Sequence, residues 1–340
     1  GGGSAGTITV TASESVSIAQ KDLDLDRYAG FFSSSVSAIA GDGGRIVVNT
    51  PNLTISEGGV IDASTLGTGR GGDIILNVGS LTLTGGAEIN SDTWGAGSAG
   101  MVTVSASGPI TIAGPSSDGF SSGLFSTAQS TGNAGQIILS SPSLSMMNGR
   151  ISTTTFGSGL GGSISINVGV LQLAGGAIID SATVATGSAG TIAVTAADSI
   201  SITGRDEAGF PSGLFSTAET GSTGDAGTLT LSAPTVTVTT GGTIRASSGG
   251  PGLGGDINIR SNNITLNDGA TISATSTGTG EAGDIFIAAS DAFVAINSSV
   301  TTQATQADGG DIDFRVGRLF HLINGDITTK VGSGTGSGGN

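Results

Sequence analysis

The sequence predicts an all-β fold, a right-handed parallel β-helix in which about eleven coils stack into a three-sheet β-solenoid. Three observations predict it. Glycine fills 62 of the 340 positions, far above the share in an ordinary globular domain, so something other than globular packing organises the chain. A Gly-Gly or Ala-Gly pair recurs at near-constant spacing, which is the mark of a repeat architecture. After each pair comes a short segment of alternating apolar residues, the period of a strand with one face buried. No segment sustains a 3.6-residue period, and strong helix formers such as Lys and Glu are scarce. The hand follows from the near-universal right-handedness of parallel crossovers.

The second glycine of each pair falls at Gly6, Gly44, Gly72, Gly100, Gly135, Gly162, Gly190, Gly227, Gly255, Gly283 and Gly310. The intervals are 38, 28, 28, 35, 27, 28, 37, 28, 28 and 27 residues, so one long coil precedes two short ones, three times over. A short coil reads as three segments. In the coil after Gly72 these carry Ile74 and Leu76, then Leu81 and Leu83, then, past Gly85-Gly86, Ile89, Ser91 and Thr93. The first segment repeats its inward pair as Ile8/Val10, Ile46/Val48, Ile137/Leu139, Ile164/Ile166, Ile257/Ile259 and Ile285/Ile287, which predicts stacked apolar columns. The third segment is small or hydroxylic inside, as in Ala63/Thr65, Thr153/Thr155, Ser181/Thr183 and Ala274/Ser276, which predicts hydroxyl ladders between coils.

The surplus residues of the long coils predict loops ejected between second and third segments near 20–33, 113–124 and 203–214. At ~4.8 Å per coil these align along one edge about 14 Å apart. The whole chain, 1–340, reads as one solenoid rod. Neither terminus carries a polar cap, and Gly339 follows Gly310 at the repeat spacing, so a segment of a longer repetitive chain is expected, with end-to-end stacking of copies as the alternative.

A net charge of −15 with only two lysines, Lys21 and Lys330, argues against nucleic acid as a partner. The absence of cysteine excludes disulfides and thiolate metal sites. No stretch reaches the ~20 apolar residues of a membrane-spanning helix, and the opening Gly-Gly-Gly-Ser-Ala-Gly is not a signal peptide.

Certain phrases carry a resemblance: Gly-Leu-Phe-Ser-Thr-Ala at 123–128 and 213–218, Gly-Asn-Ala-Gly-Gln-Ile at 132–137, and Asp-Gly-Ala-Thr-Ile-Ser-Ala-Thr at 268–275. They are similar to the rod of filamentous-haemagglutinin-like exoproteins of cyanobacteria and other environmental bacteria. The resemblance spans nearly the whole chain. It implies export by two-partner secretion through an outer-membrane transporter, display outside a bacterial outer membrane, and a role in adhesion, biofilm or sheath. The amino-terminal secretion domain of that family is not visible in these residues.

Candidate chemistry is sparse. The one histidine, His321, reads as an outward strand position, and no basic residue repeatedly faces the acidic pairs Asp206-Glu207 or Asp311 with Asp313, so catalysis is not expected. Asp22, Asp24 and Asp26 lack the glycine and glutamate of a helix-loop-helix calcium loop, whose places are taken by Arg27 and Ser33. Gly309-Gly310-Asp311-Ile312-Asp313 departs from the calcium-binding nonapeptide at Ile312. The weak metal candidate is Asp256, Asp284 and Asp311, one position on three successive coils, where stacked like charges attract a cation, calcium foremost; plain solvation is the alternative, and no cofactor is expected. The outward third-segment column is too irregular for an ice-binding face.

Recognition is expected on the ejected loops, at Asp22, Asp24, Asp26, Tyr28, Asp118, Phe120, Asp206, Glu207 and Phe210. Trp94, Tyr28 and the phenylalanines suit sugar stacking, but for most of them a role capping the core is the expectation. Phe120, Phe125, Phe210 and Phe215 are expected to fasten the insertions onto the rod. The sequence-level reading of function is an extracellular structural or adhesive rod whose partners are copies of itself or the rest of a longer rod, and surface glycans or other cells. The alternative is a carbohydrate-binding or carbohydrate-cleaving β-helix.

Overall fold

A computed structural model describes residues 3–19, 21–22, 27–36, 41–116, 119–332 and 336–339. The chain is an all-β parallel solenoid of about eleven turns, with no helix among the described residues. It divides into two compact units, Gly1–Val168 and Gly169–Asn340, with the boundary inside the strand Ser163–Ala174.

In the first unit one parallel sheet runs through Thr7–Thr11, Arg45–Ser56, Ile74–Thr84, Met101–Ala106 and Gln136–Met147, with Ser15–Ala19 and Ile110–Ala113 completing the first and fourth turns. A second sheet stacks Gly30–Phe32, Val60–Asp62, Glu88–Asn90, Gly123–Phe125 and Arg150–Ser152. The second unit repeats the scheme with Ile192–Thr203, Leu229–Thr239, Ile257–Asn267, Ile285–Ile296 and the pair Ile312–Val316 and Leu319–Ile323. Its other sheet runs from Ile178–Thr183 to Asp326–Val331. The first two apolar segments of a short coil are joined into one long strand, so hydrogen bonding makes two main sheets rather than three.

Register follows the glycine spacing. Ile46 pairs with Ile74, Ile74 with Val102 and Val102 with Ile137; in the second unit Ile192, Leu229, Ile257, Ile285 and Ile312 form one column. Ile46, Val48, Ile74, Leu76, Val102 and Val104 are fully buried. Each such side chain contributes about 1.5–3 kcal/mol of transfer free energy, so the columns supply the core.

Two corners are fixed by backbone conformation. After the second apolar segment the residues Glu57, Gly85, Gly114, Asn148, Gly175, Gly204, Thr240, Asp268, Asn297 and Asn324 all have positive φ, between 48° and 78°. Glycine, Asn and Asp adopt this left-handed region readily, and eight of the ten positions hold one of them. Thr240, β-branched at φ 52°, is the most strained. Thr240→Asn is expected to raise stability by about 1 kcal/mol, read from the urea midpoint; a lower midpoint would show that the threonine makes a compensating contact.

At the other corner the second glycine of several pairs donates its N–H to the third segment, Gly44 to Ser33, Gly100 to Ser91 and Gly135 to Ser126. Hydroxyls reply to glycine carbonyls: Ser91 to Gly72, Ser126 to Gly100 at 2.7 Å, and Ser216 to Gly190 at 2.7 Å. The expected hydroxyl ladders are therefore replaced, at these positions, by bonds from hydroxyl to backbone. The reason is geometric: a glycine carbonyl lies beside the hydroxyl, and it is a stronger acceptor than another hydroxyl. Thr93, Thr153, Thr155, Thr183 and Ser276 keep buried hydroxyls without a protein partner.

Candidate functional site

The ejected segments are small hairpins. Lys21–Asp22 pairs antiparallel with Arg27–Tyr28, while Asp24 and Asp26 lie outside the described residues, as does Asp118. Tyr28 is exposed. In the second insertion Pro115 bridges Ser121, and Ser116 and Phe120 are bonded by Ser116 N–H to the Phe120 carbonyl and Phe120 N–H to Ser116 Oγ. The third has the same design: Arg205 bridges Pro211, and Asp206 Oδ1 accepts the Phe210 N–H at 2.7 Å. Phe120 and Phe210 are 61% and 63% exposed, so neither fastens its insertion to the rod. The second and third hairpins are closed by polar bonds of their own, and Phe120 and Phe210 are left to solvent. Phe125 and Phe215 are half-buried in strands, with the Arg245 guanidinium 5.3 Å from the Phe215 ring.

Asp256, Asp284 and Asp311 do share a column, and Asp256 and Asp284 serve there as backbone caps. Asp256 Oδ1 accepts the Asp284 N–H at 3.0 Å, and Asp284 Oδ1 accepts the Asp311 N–H at 2.8 Å. Other carboxylates and an amide do the same for the next turn: Asp42 for Arg70, Asp73 for Met101, Asn133 for Leu160 and Asp225 for Leu253. This use of acidic side chains was not anticipated from the sequence. It accounts for part of the chain's acidity, since a charged acceptor makes the stronger hydrogen bond to an amide. Among the described residues no group of three or more His, Asp or Glu side chains converges as metal ligands.

A second acidic group lies on the outer face of the first unit. Asp92 accepts the Thr127 N–H at 2.6 Å and the Thr127 hydroxyl at 2.9 Å, both on Oδ1. Burial pushes its carboxyl up to about 6 against those two bonds, and the neighbouring Asp62 and Glu88 charges push the same way. Burial also raises Glu88, opposed by the bond from Asn90, and the Asp62 charge adds to the rise. In the second unit Arg260 and Arg315 lie 4.8 and 5.0 Å from the Phe286 ring. Glu207 is exposed, and His321 is exposed in the strand Leu319–Ile323.

One surface went unread in the sequence. Parallel bridges set Ser35, Thr65, Thr93, Ala128 and Thr155 in a line, so the residues that follow them, Val36, Leu66, Trp94, Gln129 and Phe156, form an outward column. Leu66, Trp94 and Phe156 are 50%, 56% and 46% exposed. Trp94 therefore does not cap the core. Comparison with family models, with curated proteins and with solved structures found no match to this chain.

Proposed function

We propose that the chain is part of a rigid, non-catalytic extracellular rod that serves adhesion at a bacterial surface. The observation that carries this reading is the way polar chemistry is spent: serine hydroxyls and aspartate carboxylates bond the backbone of neighbouring turns, which stiffens the stack rather than presenting a reactive cluster. The rod is right-handed, as parallel crossovers nearly always are. It has three faces. The strand Ile74–Thr84 supports this, because it buries Ile74, Leu76 and Val78 and then Leu81 and Leu83, so its inward phase slips by one residue at Gly79-Ser80, where a corner lies. The rod continues into further repeats or copies of itself, and it reaches the outside through an outer-membrane transporter.

Antibody against this chain is expected to label intact source cells, and brief protease treatment of those cells is expected to remove the label. Label found only after lysis would overturn the placement. Sugar release from a panel of plant and bacterial polysaccharides, abolished by boiling the chain, would overturn the non-catalytic reading.

A further inference from the structure

We propose that the outward column Leu66, Trp94, Gln129 and Phe156 binds a neutral, β-linked polysaccharide laid along the turns of the first unit. The proposal deepens the adhesive reading by naming the partner. The column is built by backbone bonds: Leu66 N–H to Ser35 O, Trp94 N–H to Thr65 O, Gln129 N–H to Thr93 O and Phe156 N–H to Ala128 O, each at 2.8–2.9 Å. Trp94 and Phe156 stand two turns apart, or about 10 Å, with the Gln129 amide on the turn between. An extended β-linked glycan repeats its sugar faces on a similar scale, so alternate apolar faces meet the two rings.

The fold does not demand these side chains. In the second unit the same phase of the turn is occupied by Val184, Glu219, Gly249, Thr277 and Thr305, the last four each bonded through its N–H to the preceding turn in the same way. A position that accepts Glu, Gly and Thr gains nothing in packing from a tryptophan that is more than half exposed. The exposed aromatic surface is therefore explained by an occupant.

Charge selects the occupant. Two residues earlier on the Trp94 turn lies Asp92, whose Oδ1 takes both Thr127 donors and whose Oδ2 remains for a hydroxyl. Asp62 and Glu88 stand close to it. A second copy of this chain, of net charge −15, would bring its own carboxylates against these, and nucleic acid or a uronate polymer would be repelled. A neutral sugar chain brings hydroxyl donors to the carboxylates and carbon–hydrogen faces to the rings.

Trp94 is the only tryptophan, so its emission reports this surface alone. Cellohexaose added to the full chain is expected to shift that emission saturably, and Phe156→Ala is expected to weaken the binding at least tenfold with the circular dichroism unchanged. Trp94→Ala, followed by calorimetry, should lose at least tenfold as well. No response to cellohexaose, equal affinity in the variants, or a stronger response to polygalacturonate would overturn the proposal. So would self-association in sedimentation that Trp94→Ala abolishes, since a second copy would then be the occupant. Surface labelling of cells reads the adhesive-rod proposal separately, so either can fail alone.

Discussion

Gly72→Ala is expected to destabilise the first unit by about 3 kcal/mol or more, a large effect for a single methyl group. A Cβ at Gly72 would sit 1.7 Å from the Gly44 carbonyl oxygen and 2.8 Å from the carbonyl carbons of Gly43 and Gly44. All three neighbours are backbone, so no side chain can swing away. Relief requires the turns to separate, yet Ile46 and Ile74 hold them in register only two residues further on, and the Gly72 N–H is bonded to Ala63 O at 2.7 Å. Gly6 occupies the same position of its turn but would meet nothing within 4 Å, so Gly6→Ala is the matched control and is expected to change stability by less than about 0.5 kcal/mol. Thermal unfolding of both variants checks the pair. At a few degrees per kcal/mol the expected loss for Gly72→Ala is roughly 10 °C. Equal melting of the two variants would mean that the turns are not in contact at the glycine corner.

Asp92→Asn is expected to stabilise the chain at neutral pH and to flatten its response to acid. The sign follows from the raised carboxyl, which stands at about 6 in the folded chain against an ordinary 3.8. A raised folded-state value means that ionising Asp92 costs the folded state more than the unfolded one. The stability this group contributes is fully present below pH 3.8 and is lost as pH rises through 6. The difference amounts to at most about 3 kcal/mol, reduced by whatever water reaches this half-buried group. Asparagine keeps an oxygen for both Thr127 donors and removes the charge that Asp62 and Glu88 oppose. Calorimetry at pH 4.5 and 7.5 is expected to show wild type melting higher at the lower pH and Asp92→Asn changing much less. A variant that melts below wild type at pH 7.5 would mean that the ionised carboxylate holds Thr127 more tightly than its burial costs.

The recognition surface reached by structure differs from the one the sequence suggested. Loops attract attention because their extra residues are visible as long intervals, and Phe120 and Phe210 do lie exposed on them. Trp94 suits sugar stacking as a residue type, but capping the core is the expectation for a single aromatic residue near a glycine turn. Asp256, Asp284 and Asp311 were legible as a column because the glycine pair beside each one marks its phase, whereas the role of Asp256 and Asp284 as amide acceptors depends on the rotamer each side chain takes.

The sequence by itself determined the repeat, its phase and its inward columns. Ile46, Ile74 and Val102 bury themselves wherever a parallel stack is formed, because period-two alternation leaves one face apolar. A turn was legible at Gly85-Gly86 for a similarly local reason, though Thr240 shows that the left-handed corner is imposed even where the residue resists it. Only the tertiary structure decided which side chains of different turns become neighbours. Leu66, Trp94, Gln129 and Phe156 are separated by 28, 35 and 27 residues, and the unequal step is the length of an ejected hairpin. Where a hairpin leaves and rejoins its turn fixes which residue lands above which, and that is set by pairing between strands rather than by any segment's own pattern.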